Sequence, residues 1–417
     1  MTIRIFPPEN IIETSPLLPL SKSESARTVI IDAIAGCETQ VGLAHCDDTD
    51  AIVAGACSTR GTVNVGLAGT ALRFLTALYA ATPGADIVLT GAPRLLERPI
   101  GPLVDALRRL GADITYTGSE GCAPLHIVGA ELAGGPVSLP AGISSQFVSA
   151  LMMIAPLMKA PLQISLSGDP VSASYINMTA AMMKRRGVDA DVDLRSGLIN
   201  IPASTYNTTM IPVERDWSAA SYWYSITALS AGWVTLDGLK LPSLQGDSDI
   251  ARIAQMFGVI TAPADGSDAL ELSPSPDVFA RLDLDMSDTP DLVQAVVVTA
   301  CMLGIPFCLT GVSTLVNKET DRLAALRTEL LKVGFVIETG ADSIAWDGSR
   351  VPVTEMPVFD TYDDHRMAMA LAPIAIFVPG IAVNDPGVVS KSYPTFWDDL
   401  REAGFIIETV QSADDQQ

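Results

Sequence analysis

Two short strings concentrate charge in a way that points to chemistry. Pro93-Arg94-Leu95-Leu96-Glu97-Arg98-Pro99 places two arginines around a helix start, and Asn317-Lys318-Glu319-Thr320-Asp321-Arg322 places a lysine and an arginine four positions apart. Arginine offers carboxylate or phosphate a planar fork, and lysine offers a point charge. On one helix face, like charges at that spacing repel, so the Lys318/Arg322 pair points to an anion held between them. Lys22, Arg27, Arg73, Arg366 and Lys391 add further cations near the starts of apolar runs. Such a set suits phosphorylated or carboxylated small molecules. Any one string alone is more at home on a solvated surface; the combination, drawn from only 26 basic residues, turns the reading.

The elements that must position these cations announce themselves by polar openings. Ser21-Lys22-Ser23, Ala68-Gly69-Thr70, Ser144-Ser145-Gln146, Asp216-Trp217-Ser218, Asp288-Thr289-Pro290 and Asp363-Asp364-His365-Arg366 each precede a nearly all-apolar helical run. Helices apolar on every side are buried within a domain. Their N-termini present unpaired N–H groups and partial positive charge, which receive phosphate or carboxylate readily. One such opening is an ordinary cap. Six, interleaved with cations, predict an anion-binding cleft.

The openings belong to a repeat. Gly111, Gly187, Gly258, Gly334 and Gly404 each end a helix-like run that passes into an apolar, strand-like stretch, at intervals of 76, 71, 76 and 70 residues. A glycine after the last helical turn supplies the left-handed residue that stops the helix. With the strand-like runs between helices, the unit reads as βαβαββ and occurs six times, the first shortened. The expectation is an α/β (α+β) fold of two similar domains, each of three units.

Composition sets the outer bounds. A chain of 417 residues with 48% hydrophobic residues can bury two substantial cores. Its net charge of −22 excludes general nucleic-acid or anionic-membrane binding, which need a basic face. The six cysteines form no CxxC pair and no zinc spacing, which fits a reducing cytoplasm. The N-terminal residues carry no apolar targeting segment. The uncharged stretch Leu292 to Asn317 is long enough to span a bilayer, but Gly304, Pro306 and Gly311 divide it into helix, turn and strand.

Read together, SKSESAR, AGTALR, PRLLERPIG, SSQFVSALMMIAPL, GDPVSASY, SDTPD, KETDR, YDDHRMAMA and DPGVVSKSYP occur in the order found in 5-enolpyruvylshikimate-3-phosphate synthases. The chain resembles that family from about residue 15 to about residue 405. The resemblance implies an inside-out α/β barrel of the enolpyruvyl transferase type, with domains at residues 20–215 and at 1–19 plus 216–417, closing on the substrates. It implies transfer of the enolpyruvyl group of phosphoenolpyruvate to the 5-hydroxyl of shikimate 3-phosphate, by a cytoplasmic monomer without metal or organic cofactor. Lys22, Ser23, Arg27, Ser144, Ser145, Gln146, Ser172, Tyr175, Asp291, Thr314 and Lys318 would bind shikimate 3-phosphate. Lys22, Gly69, Arg98, Gln146, Arg322, Arg366 and Lys391 would bind phosphoenolpyruvate. Asp291 would be the base and Glu319 the acid, with Lys22 a second candidate acid, and His365 would orient the Arg366 segment.

The chain departs from the family pattern at Leu20, Ala26, Leu67, Thr314 and Asp363, where Gly or Asn is usual. The departures at Leu67 and Asp363 are expected to weaken phosphoenolpyruvate binding. Two alternatives follow from the same residues. A UDP-N-acetylglucosamine enolpyruvyl transferase would need a reactive cysteine, for which Cys122 is the candidate. A catalytically inactive relative would bind ligand without turnover.

Overall fold

The computed structural model describes residues 1–40, 42–142, 144–168 and 170–410. The chain divides into two compact units, Leu20–Val213 and the pair of segments Met1–Pro19 and Glu214–Gln417.

In the contiguous unit, the helices Gly69–Ala80 and Ser145–Ile154 are buried almost all round, as their apolar sequences require. Two four-stranded sheets follow one plan. A leading strand pairs in parallel with the next, which continues into two antiparallel neighbours. The strand order is Arg60–Asn64, Asp86–Thr90, Leu125–Val128, Asp113–Tyr116 in one sheet, and Gly135–Pro140, Leu162–Ser167, Leu198–Ile201, Asp191–Asp193 in the other. The first repeat does not follow the expected βαβαββ plan. Its helices Lys22–Ala35 and Asp47–Ala56 pack together, and among the described residues no strand lies between them. The segment that joins them is only eleven residues long, from Gly36 to Cys46, and carries glycines at 36 and 42.

Among the described residues the discontinuous unit holds three sheets, and the N-terminal segment supplies a strand to two of them. Thr2–Phe6 lies between Ile381–Asn384 and Ile406–Val410, antiparallel to both. Glu13–Thr14 pairs in parallel with Trp233–Leu236 at the edge of the second sheet. The third runs Leu282–Asp285, Phe307–Thr310, Ser343–Trp346, Glu338–Thr339. One core joins these sheets to the helices Trp217–Ser230, Val293–Leu303 and His365–Leu371.

The five spaced glycines have φ of 102, 87, 77, 88 and 95°, a region that a side chain would strain. The uncharged stretch resolves into the helix Val293–Leu303, a left-handed Gly304 and the strand Phe307–Thr310. No helix among the described residues is long and apolar enough to cross a membrane.

Candidate active site

In the contiguous unit, helix openings carry the predicted residues. Ser21 caps Lys22–Ala35 by accepting from Glu24 N, and Ser144 caps Ser145–Ile154 by accepting from Gln146 N. Arg27, 2% exposed, makes its hydrogen bonds among the described residues to neutral oxygens, while the charge of Glu24 acts on it without a direct bond. It donates to Thr179 Oγ1 at 2.7 Å, Ser23 O at 2.8 Å, Ser149 Oγ at 3.2 Å and Tyr175 O at 3.4 Å. Its guanidinium lies 5.4 Å from the Phe74 ring centroid and 5.7 Å from that of Tyr175. Burial lowers its pKa to about 10, so it keeps its charge at neutral pH. A buried cation satisfied by neutral groups is prepared for an incoming anion.

A chain of side-chain links connects this group to the next. Ser149 and Gln146 share one helix, and Gln146 Nε2 donates to Thr70 Oγ1 at 3.2 Å. Beside Thr70, Gly69 lies against two guanidinium groups. A Cβ there would stand 2.6 Å from Arg73 Nη1 and 2.7 Å from Arg98 Nη1. Arg73 itself serves the frame, donating to the Gly69 and Pro99 carbonyls under the Phe147 ring. Arg94 pairs with the exposed Glu97. Ser172 opens the helix Ala173–Arg185 from a left-handed backbone, φ 57°. Lys22 forms an ion pair with Asp48 at 3.2 Å, and Asp48 is 3% exposed.

The discontinuous unit gathers its residues around Arg322. This guanidinium is 1% exposed and meets Asp364 Oδ2 at 2.7 Å, Glu319 Oε2 at 3.0 Å and Asp291 Oδ1 at 3.1 Å. Burial alone would lower its pKa, but those three carboxylates outweigh it and raise the value above the ordinary range. Arg366 Nη2 lies 2.9 Å from Asp291 Oδ2, and Lys318 Nζ lies 3.8 Å from Asp291 Oδ1. Lys391 Nζ lies 2.8 Å from Glu319 Oε1. Four cations thus enclose three carboxylates.

This geometry corrects one expectation. Lys318 and Arg322 do not share a helix face. Lys318 has extended backbone, and Asp321 caps the helix that begins at Arg322 by accepting from Ala324 N. What lies between the two cations is the Asp291 carboxylate. Thr314, half-buried in the turn Ser313–Asn317, makes no side-chain hydrogen bond among the described residues, so nothing ties it to this cluster.

Asp48 and Asp247 are functional candidates that the sequence reading did not name, and Asp364 entered it only as part of a helix opening. Asp364 is fully buried, accepts from Arg366 N at 2.9 Å and holds Arg322. The nearby His365 is 1% exposed, with Nδ1 3.7 Å from Asp364 Oδ1. A lone aspartate near a helix start looks like an ordinary cap. The available signal was the second-helix openings, Asp47-Asp48 and Gly246-Asp247, which recur in the repeat as the first-helix openings do.

A profile of the EPSP synthase (3-phosphoshikimate 1-carboxyvinyltransferase) family matches residues 53–400. A 3-phosphoshikimate 1-carboxyvinyltransferase of Bacteroides fragilis is 45% identical over 400 residues, covering 95% of this chain and 97% of its own. The chain belongs to the EPSP synthase family. A relative of the same name from Methanoculleus marisnigri is 37% identical over 354 residues, covering 83% of this chain and 80% of its own. The solved structure of EPSP synthase from Acinetobacter baumannii superimposes with a TM-score of 0.74, covering 98% of this chain and all of that one. At 21% identity it speaks for the fold alone.

Membership of the EPSP synthase family gives the departures their setting. Tyr362 and Asp363 both have left-handed backbone, φ 56 and 55°, immediately before Asp364. Asn and Asp take that conformation more readily than other side chains, so Asp363 satisfies the same backbone demand as the usual Asn. Asp363 is exposed, and the acid engaged with the cations is Asp364. Ala26 is buried within its helix, while Leu20 and Leu67 are half-buried. Cys122 forms an isolated bridge with Pro99, with Sγ 3.7 Å from the Glu97 carbonyl oxygen.

Proposed function

We propose that this chain transfers the enolpyruvyl group of phosphoenolpyruvate to the 5-hydroxyl of shikimate 3-phosphate and releases phosphate, with Asp291 as base and Glu319 as acid. The observation that carries the assignment of roles is the cluster in which Arg322 joins Asp291 to Glu319, with Lys318, Arg366 and Lys391 on its flanks. Two acid groups for proton transfer lie on one guanidinium, surrounded by cations that suit phosphate and carboxylate.

Asp291 takes the proton of the 5-hydroxyl as that oxygen attacks C2 of phosphoenolpyruvate. Glu319 delivers a proton to C3, with Lys22 as a second candidate donor. The tetrahedral intermediate then expels phosphate while a C3 proton leaves and the double bond returns. Both substrates are anions and repel each other, so the positive side chains must be in place before they meet. An anion that takes Lys391 and Arg322 competes with the Glu319 carboxyl group for these two partners. Arg27, Ser23, Ser144, Ser145, Gln146, Ser172, Tyr175 and Lys318 are assigned to shikimate 3-phosphate. Gly69, Arg98, Arg322, Arg366 and Lys391 are assigned to phosphoenolpyruvate. A cytoplasmic location accords with six free cysteines.

The test is phosphate release from phosphoenolpyruvate with shikimate 3-phosphate or UDP-N-acetylglucosamine as acceptor. Release with shikimate 3-phosphate is expected. Release with the nucleotide sugar alone, or with neither acceptor, would overturn the assignment.

A further inference from the structure

The proposed substrate-handling residues keep to two places in the repeat. One is the opening of the first helix, as with Lys22, Gly69 and Arg366. The other is the opening of the second helix, as with Arg98, Ser172 and Lys391. The fourth repeat alone has no residue assigned to substrate, yet both of its openings carry polar side chains. Ser218 is the second residue of the helix Trp217–Ser230, and Asp247 lies in the 3-10 turn Gly246–Asp249 ahead of Ile250–Ile253.

These two residues are bonded to each other and reach the cluster around Asp291. The Ser218 hydroxyl donates to Asp247 Oδ2 and accepts from Arg366 Nη2 at 3.4 Å. The same Nη2 lies 2.9 Å from Asp291 Oδ2, while Arg366 Nη1 donates to the Asp291 carbonyl at 3.2 Å. Asp247 is 3% exposed, and its enclosed Oδ1 has no hydrogen-bond partner among the described residues. A bare carboxylate oxygen without a donor is costly inside a protein, and a carboxyl group carrying its proton lowers that cost by removing the charge.

The charged groups acting on Asp247 come from three packed elements. Asp216 caps its neighbouring helix, Asp291 lies in the turn Pro290–Leu292, and Arg366 opens His365–Leu371. Burial, then the negative charge of Asp291, raise the Asp247 pKa to about 7 against the opposing influence of Arg366 and Ser218. Below that pH the side chain keeps its proton. Above it, a second negative charge appears beside the cation assigned to phosphoenolpyruvate.

We propose that Asp247 is a positioning residue for the reaction: as a neutral carboxyl group it holds Ser218, and through it the Arg366 guanidinium, against Asp291, and its ionisation weakens the hold of Arg366 on phosphoenolpyruvate. This rests on the assignment of Arg366 to phosphoenolpyruvate made above. The residue touches no reacting atom in this scheme. It acts through Arg366.

The experiment compares the full-length wild type with Asp247→Asn, which cannot ionise, between pH 6 and pH 8.5. The ratio of kcat/KM for phosphoenolpyruvate, variant over wild type, is expected to rise about tenfold across that range, corresponding to one charge interaction of about 1.4 kcal/mol. Titration of phosphoenolpyruvate itself affects both proteins and cancels in the ratio. The same ratio for shikimate 3-phosphate should stay level. A ratio for phosphoenolpyruvate that does not change with pH would overturn the proposal, since loss of mere structural support lowers the rate equally at every pH. As a second variant, Ser218→Ala removes the hydroxyl that links Asp247 to Arg366. It is expected to raise KM for phosphoenolpyruvate several-fold with little change in kcat; an unaltered KM would likewise count against the link. Absence of turnover in the wild type would instead overturn the assigned function.

Discussion

Asp291 accepts ion pairs from three cations, and this decides what its loss should do. Removing its charge leaves Lys318, Arg322 and Arg366 with one fewer internal partner, so anionic substrates meet a more positive surface. Asp291→Asn is therefore expected to lower kcat by roughly 10²–10⁴-fold, the usual contribution of a general base, without raising KM for either substrate. Steady-state kinetics decide the matter; retained kcat would remove Asp291 from the base role. Gly69 tests a different effect. A methyl group there would press on the guanidinium groups of Arg73 from 2.6 Å and of Arg98 from 2.7 Å, and Arg98 is the one assigned to phosphoenolpyruvate. Gly69→Ala should raise KM for phosphoenolpyruvate several-fold and leave that for shikimate 3-phosphate nearly unchanged. Parallel increases in both would mean that the helix start, rather than Arg98, had moved. The cations of the site were legible in the sequence because they stand beside polar helix openings in a chain poor in basic residues. Two further acids that orient them were not. Asp364 and Asp247 differ from ordinary caps only through burial and through partners far along the chain, Arg322 for one and Ser218 for the other.

The helices show the same division between what local sequence states and what packing adds. Glycine after the second helix of five repeats announced the stops, and apolar runs announced buried helices. The relation of Lys318 to Arg322 was misjudged because Asp321 starts a helix between them, and capping places Lys318 outside it. Another support was invisible for a similar reason. Glu329, in the helix Arg322–Leu331, is fully buried and accepts from Tyr362 Oη at 2.6 Å, Asp360 N at 3.0 Å and Lys332 Nζ at 2.7 Å. It thereby anchors the left-handed Tyr362-Asp363 turn that delivers Asp364 and Arg366. Glu329→Ala would leave a buried carboxylate's partners unsatisfied, at about 1–3 kcal/mol for each enclosed donor that water cannot reach. Thermal denaturation should show a lowered Tm, and kinetics should show KM for phosphoenolpyruvate rising more than kcat falls. A lowered Tm with unchanged kinetics would separate the anchor from the site.

At the scale of the whole chain, the two units differ in how they are encoded. Leu20–Val213 is continuous, with its own sheets and buried helices. The other unit depends on residues separated from it in sequence by that entire domain. Thr2–Phe6 is no edge addition: it lies between two antiparallel partners, and without it Ile381–Asn384 and Ile406–Val410 would each expose an unpaired, apolar strand edge. A fragment of residues 20–213 should fold alone and unfold cooperatively. A fragment of residues 214–410 should aggregate or remain partly unfolded. Thr2 pairs with Val410, so a short linker from residue 410 to residue 1 can restore the missing strand. The permuted chain running 214–410, linker, 1–19 should therefore fold, with a sharp thermal transition by circular dichroism. If the unlinked 214–410 fragment folds as well as the permuted chain, the N-terminal strand is dispensable, and the discontinuity has some cause other than completion of the sheet.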